Sequence, residues 1–122
     1  MAKAAFIKFE VTKDIAEQTL EAIALAASSG KLRRGVNEVT KAVERGVAKL
    51  VIIAEDVTPP EILMHIPLLC EEKNVPYTYV PTKADLGKAS GIEVPTSSIA
   101  ITEPGESRNA IADIAKKVKA LK

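Results

Sequence analysis

Apolar and polar positions along the 122 residues arrange themselves as strands alternating with helices. The short apolar stretch "AFIKF", residues 5–9, predicts a first strand. In "TKDIAEQTLEAIALAASSG", Thr12 stands where an N-cap belongs. Ile15, Leu20, Ile23, Ala24 and Ala27 recur at helical spacing, and Gly30 marks the stop. The basic "KLRR" reads as a link, and a second helix runs from about Val36 to Arg45, ending at Gly46. "KLVIIAED" is a short continuous apolar run of the kind shown by strands covered on both faces. "PPEILMHIPLLCEEKN" opens with prolines suited to a helix start. Pro67 then removes a backbone donor inside the run, so a broken or kinked third helix is expected. "VPYTYVP" reads as a strand, "TKADLGKASG" as a short helix ended by Gly91, and "SSIAI" as the last strand. A closing helix, "ESRNAIADIAKKVKALK", puts Ile111, Ile114, Ala115, Val118 and Leu121 on one face.

Alternating strands and helices predict an α/β fold, a three-layer α/β/α sandwich around a central mixed sheet of about four strands. The length suits a single domain, residues 1–122, with no internal repeat, low-complexity segment or linker. Hydrophobic residues make up 47 % and charged ones 27 %, close to the globular average, which excludes disorder as the default. No apolar run approaches the roughly 18 residues that span a bilayer, and "MAKAAFIKFE" lacks an apolar signal core. A cytoplasmic protein with no membrane contact is expected. The single Cys70 has no second cysteine for a disulfide or zinc site, and "IPLLCEE" places it in the core.

Charge changes the picture by its distribution. The total is only +1, yet residues 31–49 hold six cations (Lys31, Arg33, Arg34, Lys41, Arg45 and Lys49) against Glu38 and Glu44. A local patch steers an anion whatever the net charge. At about 100° per residue, Asn37, Lys41, Arg34, Arg45 and Glu38 fall at roughly 0, 40, 60, 80 and 100° if the helical turn is carried back to Arg34. Val36, Val39, Ala42, Val43 and Val47 fall opposite, toward the sheet.

A charged helical stripe is usually a solvated face. Two details argue for more. Lys41 and Arg45 are like charges four residues apart, and Arg33 and Arg34 sit at the end of the helix dipole that repels cations. A helix that docks an anion tolerates both, and its N-terminal amides with Gly35 suit phosphate. Phosphate alone requires neither Asn37 nor Glu38. Asn both donates and accepts, ionised Glu only accepts and Lys only donates, so the three together match a base edge that offers both kinds of group. Guanine is such a base, with O6 for Lys or Asn and N1–H and N2–H for Glu. RNA readers reach those edges in bulges and irregular pairs.

"RRGVNEVTKAVERG", followed by "VIIAEDVTPPEILMHIPLLCEEKNVPYTYV" and "GIEVPTSSIAI", resembles the archaeal kink-turn-binding large-subunit ribosomal protein family, L7Ae, over almost the whole chain. The resemblance implies a helix start that enters the widened groove of a kink-turn, where tandem sheared G·A pairs expose guanine Watson–Crick edges. By position, Asn37, Glu38 and Lys41 would contact those guanines, with Gly35 against the backbone. Ile92, Glu93 and Val94 match the loop that covers a flipped-out nucleotide, and Lys83, Arg34 and Arg45 would lie nearer phosphates. An isolated loop Ile or Val is otherwise more often a plug over the core. The implied partners are ribosomal RNA, box C/D and H/ACA guide RNAs and ribonuclease P RNA, with the proteins of those particles. The free protein is expected to be a monomer without catalytic residues, metal or cofactor.

The main rival is a phosphoacceptor receiver-like domain, in which Asp56 at the end of "VIIAED" accepts phosphate, with Thr82 and Lys83 downstream and magnesium required. It needs an acidic pair at the end of the first strand, and "FIKFEV" supplies only Glu10. "SSGKL" lacks the spacing of a phosphate-binding loop. His65 has no Ser, Cys or second His at useful spacing and reads as structural. "PPEI" and "IPLL" could serve as a protein-binding surface, a role compatible with RNA binding.

Overall fold

Leu50–Ala54 is buried at every residue, as a strand covered on both faces must be, and it lies second from one edge of a four-stranded sheet. The structure is a computed structural model that describes residues 7, 9–57, 60–92 and 94–121. In chain order the elements are α1 (Lys13–Ser29), β1 (Lys31–Arg34), α2 (Val36–Glu44), β2 (Leu50–Ala54), a 3-10 turn (Pro60–Leu63), α3 (His65–Lys73), β3 (Tyr77–Val80), α4 (Lys83–Ala89), β4 (Ser98–Glu103), a second 3-10 turn (Gly105–Ser107) and α5 (Arg108–Leu121). Strand order is β1-β4-β2-β3. The β2–β3 pair is parallel, with α3 making the crossover, while β4 runs antiparallel to both β2 and β1. The sheet is therefore mixed and four-stranded, as expected.

One of its strands is not the expected one. Of "AFIKF", Ile7 and Phe9 are described and neither is in a strand; Ala5, Phe6 and Lys8 lie outside the described residues. Phe9 still reaches the core, its ring centroid 5.5 Å from Tyr77 and 5.1 Å from Tyr79. The fourth strand is instead "KLRR", read above as a link, which pairs along β4 from Lys31↔Glu103 to Arg34↔Ile99. Its alternation spans only four residues, three of them cationic, too little to register as a strand pattern. Cations on an edge strand discourage pairing with another chain.

Consecutive residues of β1 point to opposite faces, which sorts the helices. Arg33 lines a groove with α2, whereas Arg34 hydrogen-bonds to Ser90 at the end of α4. So α2 and α4 cover opposite faces of the sheet. On the α2 side lies α3; on the α4 side lie α1 and α5. The three-layer arrangement places Leu50, Ile52, Ile53, Ile99 and Ile101 fully inside, each burial stabilising by about 1.5–3 kcal/mol relative to exposure. Cys70 is fully buried among them.

The helices start as their caps dictate. Thr12 Oγ1 accepts from the Ile15 amide at 3.3 Å to open α1. Its buried face is Ile15, Ala16, Thr19, Ala22, Ile23 and Ala26. Ala24 and Ala27, placed inward by the periodicity, are exposed. Thr19 takes an inward position because its hydroxyl donates to the Ile15 carbonyl at 2.7 Å and needs no water. The third helix is broken, as Pro67 suggested, at Met64. Pro67 itself sits in the first turn of α3, where its missing N–H has no carbonyl to meet, and its ring displaces the carbonyl four residues back, that of Leu63, where the 3-10 turn ends. In α5, Ile111, Ile114 and Val118 are buried, Ala115 is half-buried and Leu121 in the last turn is exposed. A polar triad on the surface ties α5 to α1. Gln18 Nε2 donates to Asp113 Oδ2 at 2.7 Å, and Lys117 Nζ lies 2.8 Å from Gln18 Oε1 and 3.1 Å from Asp113 Oδ2. The Gln18 hydrogen bond, then that of Lys117, holds the Asp113 carboxyl below its ordinary range.

Candidate functional site

Gly35 makes the turn from β1 into α2. It has φ +92°, a conformation that L side chains rarely adopt, and no atom lies within 4 Å of where a Cβ would stand. Its amide donates to the Ser98 carbonyl at 2.9 Å and its carbonyl accepts from Val39 at 2.9 Å. The start of α2 is thus pinned to the start of β4, with its backbone open on the outer side. Asn37, Glu38 and Lys41 are exposed on that side, while Val39, Ala42 and Val43 face the sheet and Val36 is half-buried. Val47, placed on the inner face by helical projection, is 45 % exposed, because the helix closes at Arg45 and the projection no longer holds beyond it.

The same end of the sheet receives the loop between α4 and β4. A Cβ on Gly87 would collide with the Val94 carbonyl, so glycine at this buried point of α4 lets the loop lie directly on the helix. Hydrogen bonds fix it there: the Ile92 amide donates to the Gly87 carbonyl at 3.2 Å, and the Thr96 amide to the Lys83 carbonyl at 3.1 Å. Ile92 is half-buried, which suits a plug, whereas Val94 is 64 % exposed. Glu93 lies outside the described residues. Lys83 opens α4 with its side chain exposed.

Two predicted residues stand apart from this cluster. Arg34 belongs to β1, so carrying the helical turn back to it does not hold: the positive φ of Gly35 breaks the projection. Its Nε and Nη2 donate to Ser90 Oγ and the Ser90 carbonyl at 3.1 and 2.6 Å, a structural engagement. Arg45 closes α2, at the far end from Gly35 by about 15 Å at 1.5 Å per residue. Ser90 escaped the sequence reading because its partner Arg34 lies 56 residues away, and Gly87 because only the path of the following loop brings the Val94 carbonyl against it. The cationic patch of residues 31–49 was legible, but not that Lys31 and Arg33 line a groove with α2, because "KLRR" was not recognised as a strand with two faces.

Asp56, the phosphoacceptor of the rival reading, accepts from the Lys83 amide at 2.8 Å, beside Thr82 Oγ1, which accepts from the Asp85 amide at 3.1 Å. Both serve as caps of α4. No group of three His, Cys, Asp or Glu side chains among the described residues is arranged to hold a metal ion. His65 is exposed, with Nε2 2.8 Å from Thr40 Oγ1. Because Thr40 spends its single proton on the Val36 carbonyl at 2.7 Å, His65 must be the donor, joining α3 to α2. No helix among the described residues is long and apolar enough to cross a membrane.

An exposed helix start bearing donors and acceptors, set beside an apolar loop at one end of an α/β sandwich, defines a binding domain that presents its chemistry outward. The chain belongs to the ribosomal protein L7Ae/L30e/S12e/Gadd45 family, whose sequence model matches residues 17–111. Among solved structures it is similar to the Giardia lamblia 15.5kD RNA binding protein, with 39 % identity over 99 % of this chain and 100 % of that one and a TM-score of 0.92.

Proposed function

We propose that this protein binds RNA and recognises kink-turns through the Watson–Crick edges of guanines in sheared G·A pairs. The observation that carries the reading is the placement of Asn37, Glu38 and Lys41, all exposed, on the first turns of α2 beside the open backbone of Gly35, which is pinned to Ser98 at the end of the loop that presents Val94. Asn37 and Lys41 would donate to guanine O6, and the Glu38 carboxylate would accept from N1–H and N2–H. A carboxylate at this point repels phosphate, so its exposure on the cationic side of α2 is accounted for by a base that donates to it. Val94 would pack on an unstacked base, and Lys83 would approach phosphate. Similarity to an RNA-binding protein along nearly the whole of both chains supports the class of ligand.

On this reading the protein is a cytoplasmic component of particles built on such RNA: the large ribosomal subunit, box C/D and H/ACA guide-RNA particles and ribonuclease P. Whole-chain titration into a labelled kink-turn, and into the same RNA with its G·A guanines replaced, tests it. The parent should discriminate the two by roughly tenfold to a hundredfold, and Glu38→Ala should lose most of that difference. Equal affinity of Glu38→Ala and parent for the kink-turn overturns the assignment. Magnesium with a phosphodonor serves as the control arm for the receiver-like alternative, through Asp56 phosphorylation.

A further inference from the structure

Among the described residues, a single side-chain hydrogen bond ties α2 to another element: His65 Nε2, at the start of α3, donates to Thr40 Oγ1 at 2.8 Å. Thr40 stands on the flank of α2 that meets α3. In helical projection it lies about 60° from Asn37 and about 100° from Lys41, and nearly opposite Glu38.

The other contacts of α2 hold it in place without setting its roll. Val39, Ala42 and Val43 bury against the sheet, and apolar burial is non-directional. The Gly35 amide, bonded to the Ser98 carbonyl, fixes where the helix begins and acts as a pivot. A roll of about 10° would carry a group about 6 Å from the helix axis through about 1 Å. That exceeds the roughly 0.5 Å spread of hydrogen-bond lengths, so the short Asn37 amide would lose a base edge that the longer Lys41 could still follow.

Thr40 is suited to transmit the restraint. Its proton goes to the Val36 carbonyl at 2.7 Å, in the turn that carries Asn37 and Glu38, and its lone pairs are left for His65. The link therefore runs from α3 through the hydroxyl to the first turn of the reading helix. His65 is exposed, and water competes for such a bond, so its contribution to stability is small. What the site takes from it is direction.

We propose that His65 is a positioning residue for guanine reading, which sets the roll of α2 through Thr40 without touching RNA itself. The proposal rests on the kink-turn reading above and names a side chain outside the contact surface on which its selectivity depends.

The test titrates whole-chain variants into a labelled kink-turn and into the same RNA with its G·A guanines replaced. Thr40→Val and His65→Phe, which keep shape and remove the bond, should each bind the kink-turn about threefold to tenfold more weakly and leave the replaced RNA unchanged. The double variant should be no worse than either single one, because both remove the same link. Thr40→Ser and His65→Gln, which keep an acceptor and a donor, should restore the parent ratio between the two RNAs. Melting should move little in all of them. Variants that melt early with the parent ratio intact show a merely structural bond and overturn the assignment. Equal losses on both RNAs, additive losses in the double variant, or failure of the conservative variants to restore the ratio also overturn it. The two readings fail separately: a parent that discriminates G·A guanines while Thr40→Val and His65→Phe discriminate equally well leaves base readout standing, and a parent without discrimination removes both.

Discussion

Arg34 and Ser90, 56 residues apart, are joined by two hydrogen bonds from one guanidinium, Nε to Ser90 Oγ at 3.1 Å and Nη2 to the Ser90 carbonyl at 2.6 Å. Ser90 Oγ in turn donates to the Gly87 carbonyl at 2.8 Å. The residue just before the α2 turn is thereby clamped to the point where the apolar loop leaves α4, so the two halves of the candidate site keep a fixed spacing. A single lysine ammonium cannot reproduce the fork. Arg34→Lys and Arg34→Ala should each lose about 1–2 kcal/mol, lowering the melting temperature by about 3–6 °C in a calorimetric scan. Unchanged melting for both would mean that the clamp contributes nothing in solution.

Gly87 faces a harder constraint. Any Cβ there meets the Val94 carbonyl, which is backbone and cannot swing aside. Gly87→Ala should therefore push the loop off α4 and cost about 1–3 kcal/mol as an overpacked site. Amide exchange would show faster opening at Ile92 and Thr96, whose amides donate to Gly87 and Lys83. Parent-like melting and exchange would refute the steric account.

What could be read before the structure depended on the length of the pattern. α1 carries a long pattern and β2 a short but unbroken apolar one flanked by polar residues, and both were readable, Thr12 and Gly30 included. The start of α2 was readable too, because Gly35, Asn37, Glu38 and Lys41 are adjacent in the chain and their chemistry is local. β1 was not, since a four-residue strand owes its existence to hydrogen bonds with β4, some 70 residues away. The partner of Arg34 was invisible for the same reason, and the need for glycine at position 87 because no local pattern shows that the next loop folds back to set the Val94 carbonyl against α4. α1 shows a further limit, for alanine fits either face of a helix and so carries little directional information.

Tyr77 supplies a prediction at high pH. Its hydroxyl donates to Glu71 Oε1 at 3.0 Å, and burial first, then this hydrogen bond, pushes its ionisation far above the ordinary value of 10.0. The unfolded chain ionises Tyr77 near its ordinary value while the folded one keeps it neutral. The resulting stability is fully present below about pH 10 and is lost progressively as pH rises beyond it. Denaturant midpoints should fall above that pH with a slope of at most about 1.4 kcal/mol per pH unit from this residue. Tyr77→Phe should flatten the decline, and an identical profile for the two proteins would show that Tyr77 is not its source.

Lys83 and Asn37 separate attraction from recognition. The Lys83 ammonium is a point charge at the exposed start of α4, so its contribution would be the same for every RNA and would fade with salt. Asn37 is uncharged, and whatever it adds depends on the base before it. Lys83→Ala should weaken kink-turn and guanine-replaced RNAs by the same factor and reduce the slope of log affinity against log salt by about one. Asn37→Ala should leave that slope alone and weaken only the RNA with intact G·A pairs, by roughly fivefold to a hundredfold. Fluorescence anisotropy across a salt series for the four protein–RNA pairs measures both quantities at once. If Asn37→Ala shifts both RNAs equally, the amide is a general contact and base discrimination must come from Glu38 and Lys41 alone.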